Sequence, residues 1–308
     1  MPLRIAIPDL VSPSYFPLIA AVELGHCRDQ GLDATVELQF PVSRAYRALE
    51  GGEADYVGAA VHAALYVFEG WRGCRLLGAL SQGMYWFLVV DRRIEAETGD
   101  LRALRGLRIG AAPGPADGLR AMVRAAGLDP DADMAIGPVP GTEGEGSCFG
   151  VTAARALQDG AIDGFWANGM GAEVAVRSGS GRLLVDARRH APAGAADYTF
   201  PALVATDRHD AERPDEVAAL VRAVLAAQQA LRADPSVARA AAEPHFPPGE
   251  RDLIAELVAR DAPYYDPAIR PEQLDAVNRF AGELGLLTTE PLAYEDVVSA
   301  TAREVWDR

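Results

Sequence analysis

The sequence has no lysine, and its 29 basic residues are all arginine. This absence excludes a lysine Schiff base to a carbonyl substrate, a lysine-anchored pyridoxal phosphate and the lysine of a nucleotide-binding P-loop. Arginine is therefore the permanent cation that the chain can offer to a ligand. Its planar guanidinium suits carboxylate, sulfonate and phosphate groups, which it binds through two parallel hydrogen bonds.

Cysteine is scarce as well, and the three residues are Cys27, Cys74 and Cys148. They form no CxxC motif, and no histidine stands at metal-ligand spacing, so the sequence indicates neither a disulfide framework nor a zinc site. Cys148 has no obvious histidine partner, which argues against a role as a nucleophile. We expect no metal and no cofactor.

Long apolar runs are also missing, so no segment is expected to cross a membrane. The formal net charge of −15 repels phosphate, so nucleic acid and anionic membrane surfaces are not expected partners. The first predicted strand begins at Leu3, which leaves no room for an export signal. We expect either a cytoplasmic protein or a periplasmic or extracellular one whose signal was removed, and in both cases a monomer.

The sequence does contain an internal repeat. An eight-residue pattern with alanine, leucine, glycine and aspartate at fixed spacing occurs as Ala48-Leu49-x-x-Gly52-x-x-Asp55 and as Ala156-Leu157-x-x-Gly160-x-x-Asp163. Each copy is preceded by an Arg-Ile pair that opens an apolar run and by a Gly-Leu-Asp triplet that closes a helical stretch. The glycines are typical of helix ends. The pattern is therefore expected to be scaffold, with the aspartate leading into a strand.

The repeated order of strand, helix, strand and helix predicts an α/β protein of two similar lobes with mixed, mostly parallel sheets. Residues 1–83 with 201–308 are predicted to form lobe one, which carries a helical C-terminal tail, and residues 86–198 to form lobe two. Two crossings, near 82–86 and near 198–201, predict a hinge. Two facing lobes make a cleft, which is a place to hold a small molecule.

Local patterns also predict particular helices. Ser43 is expected to cap a helix over 44–49 through its hydroxyl, and a further helix is expected over 61–68. The tail is expected to consist of helices over 215–232, 251–260, 271–284 and 294–306.

In open α/β sheets, ligands bind beyond the carboxyl ends of the strands, where helix N-termini favour anionic groups. After the first strand of lobe one, this rule selects Ser12, Ser14 and Tyr15. The alternative is that these residues form a solvated turn that binds no ligand. After the second strand it selects Ser43 and Arg44, where the arginine either clamps a carboxylate or sulfonate or lies at the surface.

The third loop of lobe one is the turn from Ala59 to His62. It places His62 at the start of a helix, either facing the cleft or packed in the core. Gln82 and Thr199, at the two crossings, complete the candidates on this side.

In lobe two the same rule selects the loop over 113–118. Its Asp117 either caps the helix or accepts a hydrogen bond from a ligand amine. Trp166 and Asn168 follow the last strand of the repeat and can stack on and orient an organic ligand, although core packing also explains the tryptophan. The insert over 141–150 has no counterpart in lobe one and is either a lid or an exposed loop.

The order of elements over nearly the whole chain resembles one family. The segments that carry the resemblance are PSYFPLIAAVELGHCRDQGLD, ALEGGEADY, LRALRGLRIG, AGLDP, ALQDGAIDGFWA and ERPDEVAALVRAVLAAQQALRADP. They look like the periplasmic-binding-protein-like family that serves ABC importers of sulfonates, nitrate, taurine and thiamin-pyrimidine precursors. The resemblance implies a type II two-lobe fold with the ligand clamped by hinge closure. It assigns ligand contacts to Ser12, Ser14, Tyr15, Ser43, Arg44, the turn 59–62, Asp117 and Trp166.

Some relatives of this family are enzymes, and the sequence departs from them. The pyrimidine-forming thiamin synthase of fungi needs a lysine-bound pyridoxal phosphate and a cysteine-rich iron motif, both missing here. The aryl sulfinate desulfinase of the same fold uses a cysteine in the first strand–helix loop, where this chain has Ser12 and Ser14, and Cys27 lies beyond the helix.

The leading interpretation is a non-catalytic solute-binding protein that clamps a small organic ligand, anionic or aromatic, for an ABC importer. Its expected protein partners are the importer's permease and ATPase. The alternative is a cytosolic enzyme on the same fold, a desulfinase- or decarboxylase-like lyase acting on an aromatic or sulfur-containing acid. In that case His62, Ser12 or Ser14 would transfer a proton. A sensor domain is a third class, which the lack of an attached output domain disfavours.

Overall fold

In the computed structural model, residues 2–142 and 149–307 are described. Cys148 and most of the predicted 141–150 insert lie outside the described residues. The chain divides into two compact units. Unit 1 comprises the chain up to Gln82 and again from Phe200 onward, and unit 2 comprises Gly83–Thr199.

The first segment of unit 1 alternates strands with helices, as its periodic apolar residues predict. Its elements are β1 (Leu3–Ile7), α1 (Phe16–Glu23), α2 (His26–Asp29), β2 (Ala34–Leu38), α3 (Val42–Glu50), β3 (Tyr56–Ala60) and β4 (Cys74–Ala79), with 3₁₀ helices at Pro13–Tyr15, Val61–Tyr66 and Glu69–Trp71.

Unit 2 repeats this alternation. Its elements are β5 (Phe87–Asp91), β6 (Arg108–Ala111), α4 (Pro115–Ala125), β7 (Ala135–Gly137), α5 (Phe149–Gln158), β8 (Gly164–Ala167), α6 (Gly169–Arg177), β9 (Gly181–Asp186) and α7 (Ala187–His190), with 3₁₀ helices at Leu101–Leu104 and Ala195–Asp197.

The returning segment adds one strand to unit 1 and is otherwise helical. It contains β10 (Pro201–Thr206), α8 (Asp207–Glu212), α9 (Pro214–Ala233), α10 (Ala238–Ala242), α11 (Pro248–Asp261), α12 (Pro271–Glu283), α13 (Tyr294–Val297) and α14 (Ala300–Trp306), with 3₁₀ helices at Pro235–Val237 and Ala262–Tyr264. No helix in the described part of the chain combines the length and the apolar character that a membrane crossing needs.

The two five-stranded sheets have the same strand order. It is β2-β1-β3-β10-β4 in unit 1 and β7-β6-β8-β5-β9 in unit 2. In each sheet the first three strands pair in parallel, and the fourth runs antiparallel to both of its neighbours. In each sheet the fourth strand comes just after the chain passes from one unit to the other. β5 follows the first segment of unit 1, and β10 follows unit 2. The predicted α/β class with mixed, mostly parallel sheets is confirmed.

The repeated motif builds the same clasp in both units. Asp55 accepts hydrogen bonds from the backbone N–H and Nε of Arg4, at 2.8 and 3.3 Å. Asp163 accepts from the corresponding atoms of Arg108, at 2.8 and 2.9 Å. The motif's glycine has a φ of +72° at Gly52 and +71° at its counterpart in unit 2, a conformation that side chains with a Cβ rarely adopt. The motif is therefore scaffold.

Each unit has a core of large apolar side chains between its sheet and its helices. In unit 1 the core includes Tyr46, Trp71 and Val277, and the Trp71 indole donates to Oδ1 of Asn278 at 2.8 Å. In unit 2, Phe165 and Trp166 are fully buried. Burial of side chains of this size is the main term that stabilises each unit.

The sequence prediction about the start of α3 is wrong. Ser43 does not cap α3, because the N-cap residue is Pro41 and Ser43 lies within the first turn. The carbonyl of Pro41 already accepts from the Arg44 N–H at 2.8 Å, which starts the helix earlier than expected. The predicted helix over 61–68 is present in a shorter form, as the 3₁₀ helix Val61–Tyr66.

The predicted helix over 294–306 is in fact two helices, α13 and α14. Val298 between them is extended and forms a parallel β-bridge with Leu76 of β4. Ser299 then caps α14 by accepting from the Ala302 N–H at 3.2 Å. Pairing with a distant strand overrides the local helical pattern.

Candidate functional site

The carboxyl ends of the parallel strands of unit 1 carry a group of buried polar side chains. Ser12 and Ser14 follow β1, His62 follows β3, and Ser81 follows β4. All four side chains are at most 1% exposed. Buried polar groups at this edge of an open sheet are where a ligand is expected.

A carboxylate from the helical tail completes this group. Asp261, the last residue of α11, accepts a hydrogen bond from Oγ of Ser14 at 2.7 Å and another from Oγ of Ser81 at 3.3 Å, both at the same oxygen, Oδ2. Asp261 is 4% exposed. Burying a carboxylate is unfavourable unless hydrogen bonds compensate it, and the two hydroxyls supply that compensation.

Sequence reasoning missed both Asp261 and Ser81. One signal was available, because Ile254, Leu257 and Val258 form the buried stripe of α11 and Asp261 continues that stripe at helical spacing. An acidic residue on an apolar helix face indicates a buried partner. The identity of that partner was not readable, because Ser14 lies far away in the sequence.

The loop after β1 is held rigidly. The carbonyl of Ser12 accepts from the Tyr15 N–H at 3.1 Å, and the Tyr265 hydroxyl donates to the Pro13 carbonyl at 2.7 Å. Tyr15 itself is buried. Oγ of Ser12 is buried and has no hydrogen-bond partner among the described residues. A buried hydroxyl without a partner is uncommon and requires an explanation.

His62 and Ala59 are packed rather than exposed. The His62 ring is fully buried and meets Phe280 edge to face, with ring centroids 5.2 Å apart. Ala59 lies on β3, where it pairs with Ala202 of β10. These positions agree with the core alternative for the turn over 59–62.

Gln82 fixes the segment that leads into α12. Its amide donates to the carbonyls of Asp266 and Ala268, at 2.7 and 2.9 Å, and its Oε1 accepts from Gln273. Arg44 is exposed on the first turn of α3, beside the half-buried Ser43. The arginine thus lies at the surface of unit 1, near the end of β2.

In unit 2, the side chains of Trp166 and Asn168 form hydrogen bonds with backbone groups. The Trp166 indole donates to the Pro115 carbonyl at the start of α4, at 2.9 Å, and its ring lies 6.0 Å from that of Trp86. Oδ1 of Asn168 caps α6 by accepting from the Gly171 N–H at 3.1 Å. Asp117 lies half-buried in the first turn of α4, and Thr199 is fully buried.

The cysteines in the described part of the chain are not activated. Burial raises the pKa of Cys27 to about 11 and that of Cys74 to about 12. Since the thiolate is the nucleophile, both are inert at neutral pH. Within residues 2–142 and 149–307, no three histidine, cysteine, aspartate or glutamate side chains form a group that could hold a metal ion.

A separate cavity of about 980 Å³ lies at the opposite edge of the unit 1 sheet, where β1, β3 and β4 begin. Arg4, Asp55, Arg72 and His209 are among its lining residues, and none of the predicted ligand residues is. The charges of its four arginines are balanced by four carboxylates.

Several solved structures share this fold over most of their length. The alkanesulfonate-binding protein SsuA from Xanthomonas axonopodis pv. citri, bound to MOPS, is 16% identical with a TM-score of 0.72, covering 96% of this chain and 97% of that one. The nitrate-binding protein NrtA from Synechocystis PCC 6803 is 14% identical with a TM-score of 0.69, covering 98% and 84%.

An enzyme has the same fold too. A mutant of DszB in complex with biphenyl-2-sulfinic acid is 16% identical with a TM-score of 0.66, and the alignment covers 100% of both chains. At these identities the likeness shows the fold alone.

No curated protein matches the chain by sequence. A family model does match, and it covers residues 12–238, from the loop after β1 through the first helices of the tail. This range is most of the chain and includes both copies of the repeated motif. The protein belongs to the NMT1/THI5-like family.

Proposed function

We propose that this protein is a solute-binding protein that takes up a small organic ligand and delivers it to an ABC importer. The observation that carries the proposal is the set of buried hydroxyl and carboxyl groups at the carboxyl ends of the unit 1 strands: Ser12, Ser14, Ser81 and Asp261. Such groups fix the orientation of a small ligand inside an otherwise apolar pocket.

The repeated architecture supports a binding role. Both sheets have the same strand order, and in both some of the residues singled out by the sequence, such as Ser12 after β1 and Asn168 after β8, follow the carboxyl ends of parallel strands. The proteins SsuA and NrtA, which share the fold, are a sulfonate-binding and a nitrate-binding protein.

The alternative is a desulfinase- or decarboxylase-like lyase, and DszB is an enzyme of this fold. The buried thiols of Cys27 and Cys74 do not support a cysteine nucleophile, because their raised pKa values keep them protonated. A lyase would then depend on serine or histidine, and the ring of His62 is packed against Phe280 in the core. Binding without chemistry is the simpler proposal.

The test is titration calorimetry of the purified protein with alkanesulfonates, aromatic carboxylates, nitrate and pyrimidines. Each ligand is recovered afterwards and analysed by mass spectrometry. We expect saturable one-to-one binding with the ligand recovered unchanged. Conversion of a ligand to a product would support the lyase instead, and a panel with no binding at all would contradict the proposal. An adjacent permease and ATPase gene pair would further support the transport role.

A further inference from the structure

Residues 79–82 carry the chain out of unit 1 toward unit 2. The returning segment of unit 1 holds this stretch at both ends. The Ala79 N–H donates to the Pro267 carbonyl, and the Gln82 N–H donates to the Tyr264 carbonyl, both at 2.8 Å. The Gln82 amide adds two further hydrogen bonds to the loop before α12. The exit from unit 1 is therefore fixed by backbone groups from a distant part of the chain.

One buried side chain holds the carbonyl groups of the same stretch. Gln228 lies on the buried face of α9 and is 2% exposed. Its amide nitrogen donates to the consecutive carbonyls of Ala79 and Leu80, each at 3.0 Å. Its amide oxygen is buried and has no hydrogen-bond partner among the described residues. Burying an amide among apolar side chains is costly unless hydrogen bonds compensate it, so the two bonds to residues 79 and 80 account for a glutamine at this position.

Unit 2 holds the chain again from Met84 onward. The Met84 N–H donates to the Ala196 carbonyl at 2.7 Å, and Met84 is fully buried. Gly83 lies between the two anchored residues 82 and 84, and its φ is +71°. A glycine moves between backbone conformations at little cost, whereas a residue with a Cβ does not. On this crossing, Gly83 is thus the residue that can absorb a change of backbone angle.

We infer that Gly83 is the pivot of the first crossing, and that Gln228 is a positioning residue that confines bending to it. Hinges consist of a few residues that absorb large changes of φ and ψ, while the chain on either side moves with its own unit. Without the Gln228 amide, the carbonyls of Ala79 and Leu80 lose this donor, and bending spreads back into the end of β4. The inference rests on the proposed binding function and concerns how a solute-binding protein of two units is controlled.

The test measures the distance between the two units in the ligand-free protein by double electron–electron resonance. Spin labels are attached to Glu53→Cys in unit 1 and Asp159→Cys in unit 2, both at exposed positions. Cys148 is replaced by serine, and Cys27 and Cys74 are buried and stay unlabelled. The mean and the width of the distance distribution are the two readouts.

The pivot is tested by comparing Gly83→Ala with Gly194→Ala. Both glycines have a positive φ, +71° and +83°, so alanine strains the backbone at both positions. Gly194 lies within unit 2, and a Cβ there has no atom within 4 Å. We expect Gly83→Ala to shift the mean distance by about 3 Å or more and Gly194→Ala to leave it unchanged. A mean distance that is the same in Gly83→Ala as in the parent protein would overturn the inference.

The anchoring role of Gln228 has its own pair of variants. Gln228→Met keeps the length of the side chain and removes the amide, whereas Val224→Ala removes only packing from the buried face of the same helix. Both should lower the midpoint of thermal unfolding. We expect only Gln228→Met to widen the distance distribution, by about 1.5-fold or more. A purely structural role of Gln228 would lower stability without widening the distribution, and the inference would then be wrong.

Gln228→Asn is the second variant, used if Gln228→Met does not fold. Its amide is one methylene too short to reach both carbonyls, so the same widening is expected. Because these measurements need no ligand, they are independent of the solute titrations. If no solute binds, the proposed function fails, while the distances still decide the inference. If a solute binds and neither Gly83→Ala nor the Gln228 variants change the distribution, the binding function stands and the inference is wrong.

Discussion

The carboxylate of Asp55 binds both the backbone N–H and the guanidinium of Arg4, so one side chain joins the start of β1 to the turn that precedes β3. The same relation joins the motif aspartate of unit 2 to Arg108. In each unit the arginine also donates to the carbonyl of the motif glycine, at 2.9 Å in unit 1 and 3.0 Å in unit 2. The repeated motif thus forms the same set of hydrogen bonds in each unit, and this set ties two neighbouring strands together at their amino ends.

The contact between Asp163 and Arg108 predicts how the stability of the protein changes at acid pH. Hydrogen bonds from Arg108 lower the pKa of Asp163 below its ordinary value of 3.8, so the folded state binds this proton less readily than the unfolded state. The stabilisation is therefore present above pH 3.8 and is lost as the pH falls below it. We expect Asp163→Asn to lower the midpoint of thermal unfolding by about 2–4 °C at pH 7.

Unfolding followed by circular dichroism at several pH values measures this difference, which should shrink toward zero as the pH falls below 3.8. Asp159→Asn is the control, because Asp159 is exposed near the same turn and makes no side-chain hydrogen bond with the described residues. A difference between Asp163→Asn and the parent protein that stayed constant down to pH 2 would show that the clasp is not electrostatic.

The contact between α5 and α6 depends on two glycines. A Cβ at Gly171 would lie 2.5 Å from the carbonyl oxygen of Gly150, and backbone cannot move aside as a side chain can. We expect Gly171→Ala to lower the free energy of unfolding by about 2 kcal/mol or more, measured by urea denaturation.

The matched control for that substitution is Gly282→Ala in α12. A Cβ there has no atom within 4 Å, so removing a flexible residue from a helix should raise the free energy of unfolding by about 0.5–1 kcal/mol. If the two variants were equally stable, the close approach of α5 and α6 would not be as described.

Trp166 offers a test of the prediction that it contacts a ligand. Trp166→Phe removes the hydrogen bond to the Pro115 carbonyl, and Trp306→Phe removes an equivalent one from the Trp306 indole to the Leu77 carbonyl in unit 1. Each loss should cost about 1 kcal/mol of unfolding free energy. We expect only Trp166→Phe to weaken ligand affinity, by about 5-fold or more, in calorimetry. Equal affinities for the two variants would contradict a role for the β6–α4 loop.

The scaffold was readable from the sequence because local rules determine it. The repeated Gly52 and Asp55 pattern, the alternating apolar strands and the glycine-ended helices together predict two similar α/β lobes. The errors occur where a contact with a residue far away in the sequence determines the secondary structure. Val298 leaves its helical pattern to pair with Leu76, and no local signal reports a partner so far away.

The candidate site was predicted in part, for the same reason. The loop containing Ser12 and Ser14 follows from the position of β1, because the carboxyl ends of strands are where loops converge. Asp261 was not predicted, since its partner Ser14 is brought to it only by the packing of the two segments of unit 1 on each other. His62 was selected by its position after β3, and the structure shows its ring in the core, against Phe280.

The most direct test of the central claim is equilibrium titration of the purified protein with the solute panel, with chemical analysis of the recovered ligand. Solute binding predicts a saturable one-to-one isotherm with a micromolar Kd and a ligand recovered intact. A ligand that is converted on incubation, or an absence of binding across sulfonates, carboxylates, nitrate and pyrimidines, would contradict it.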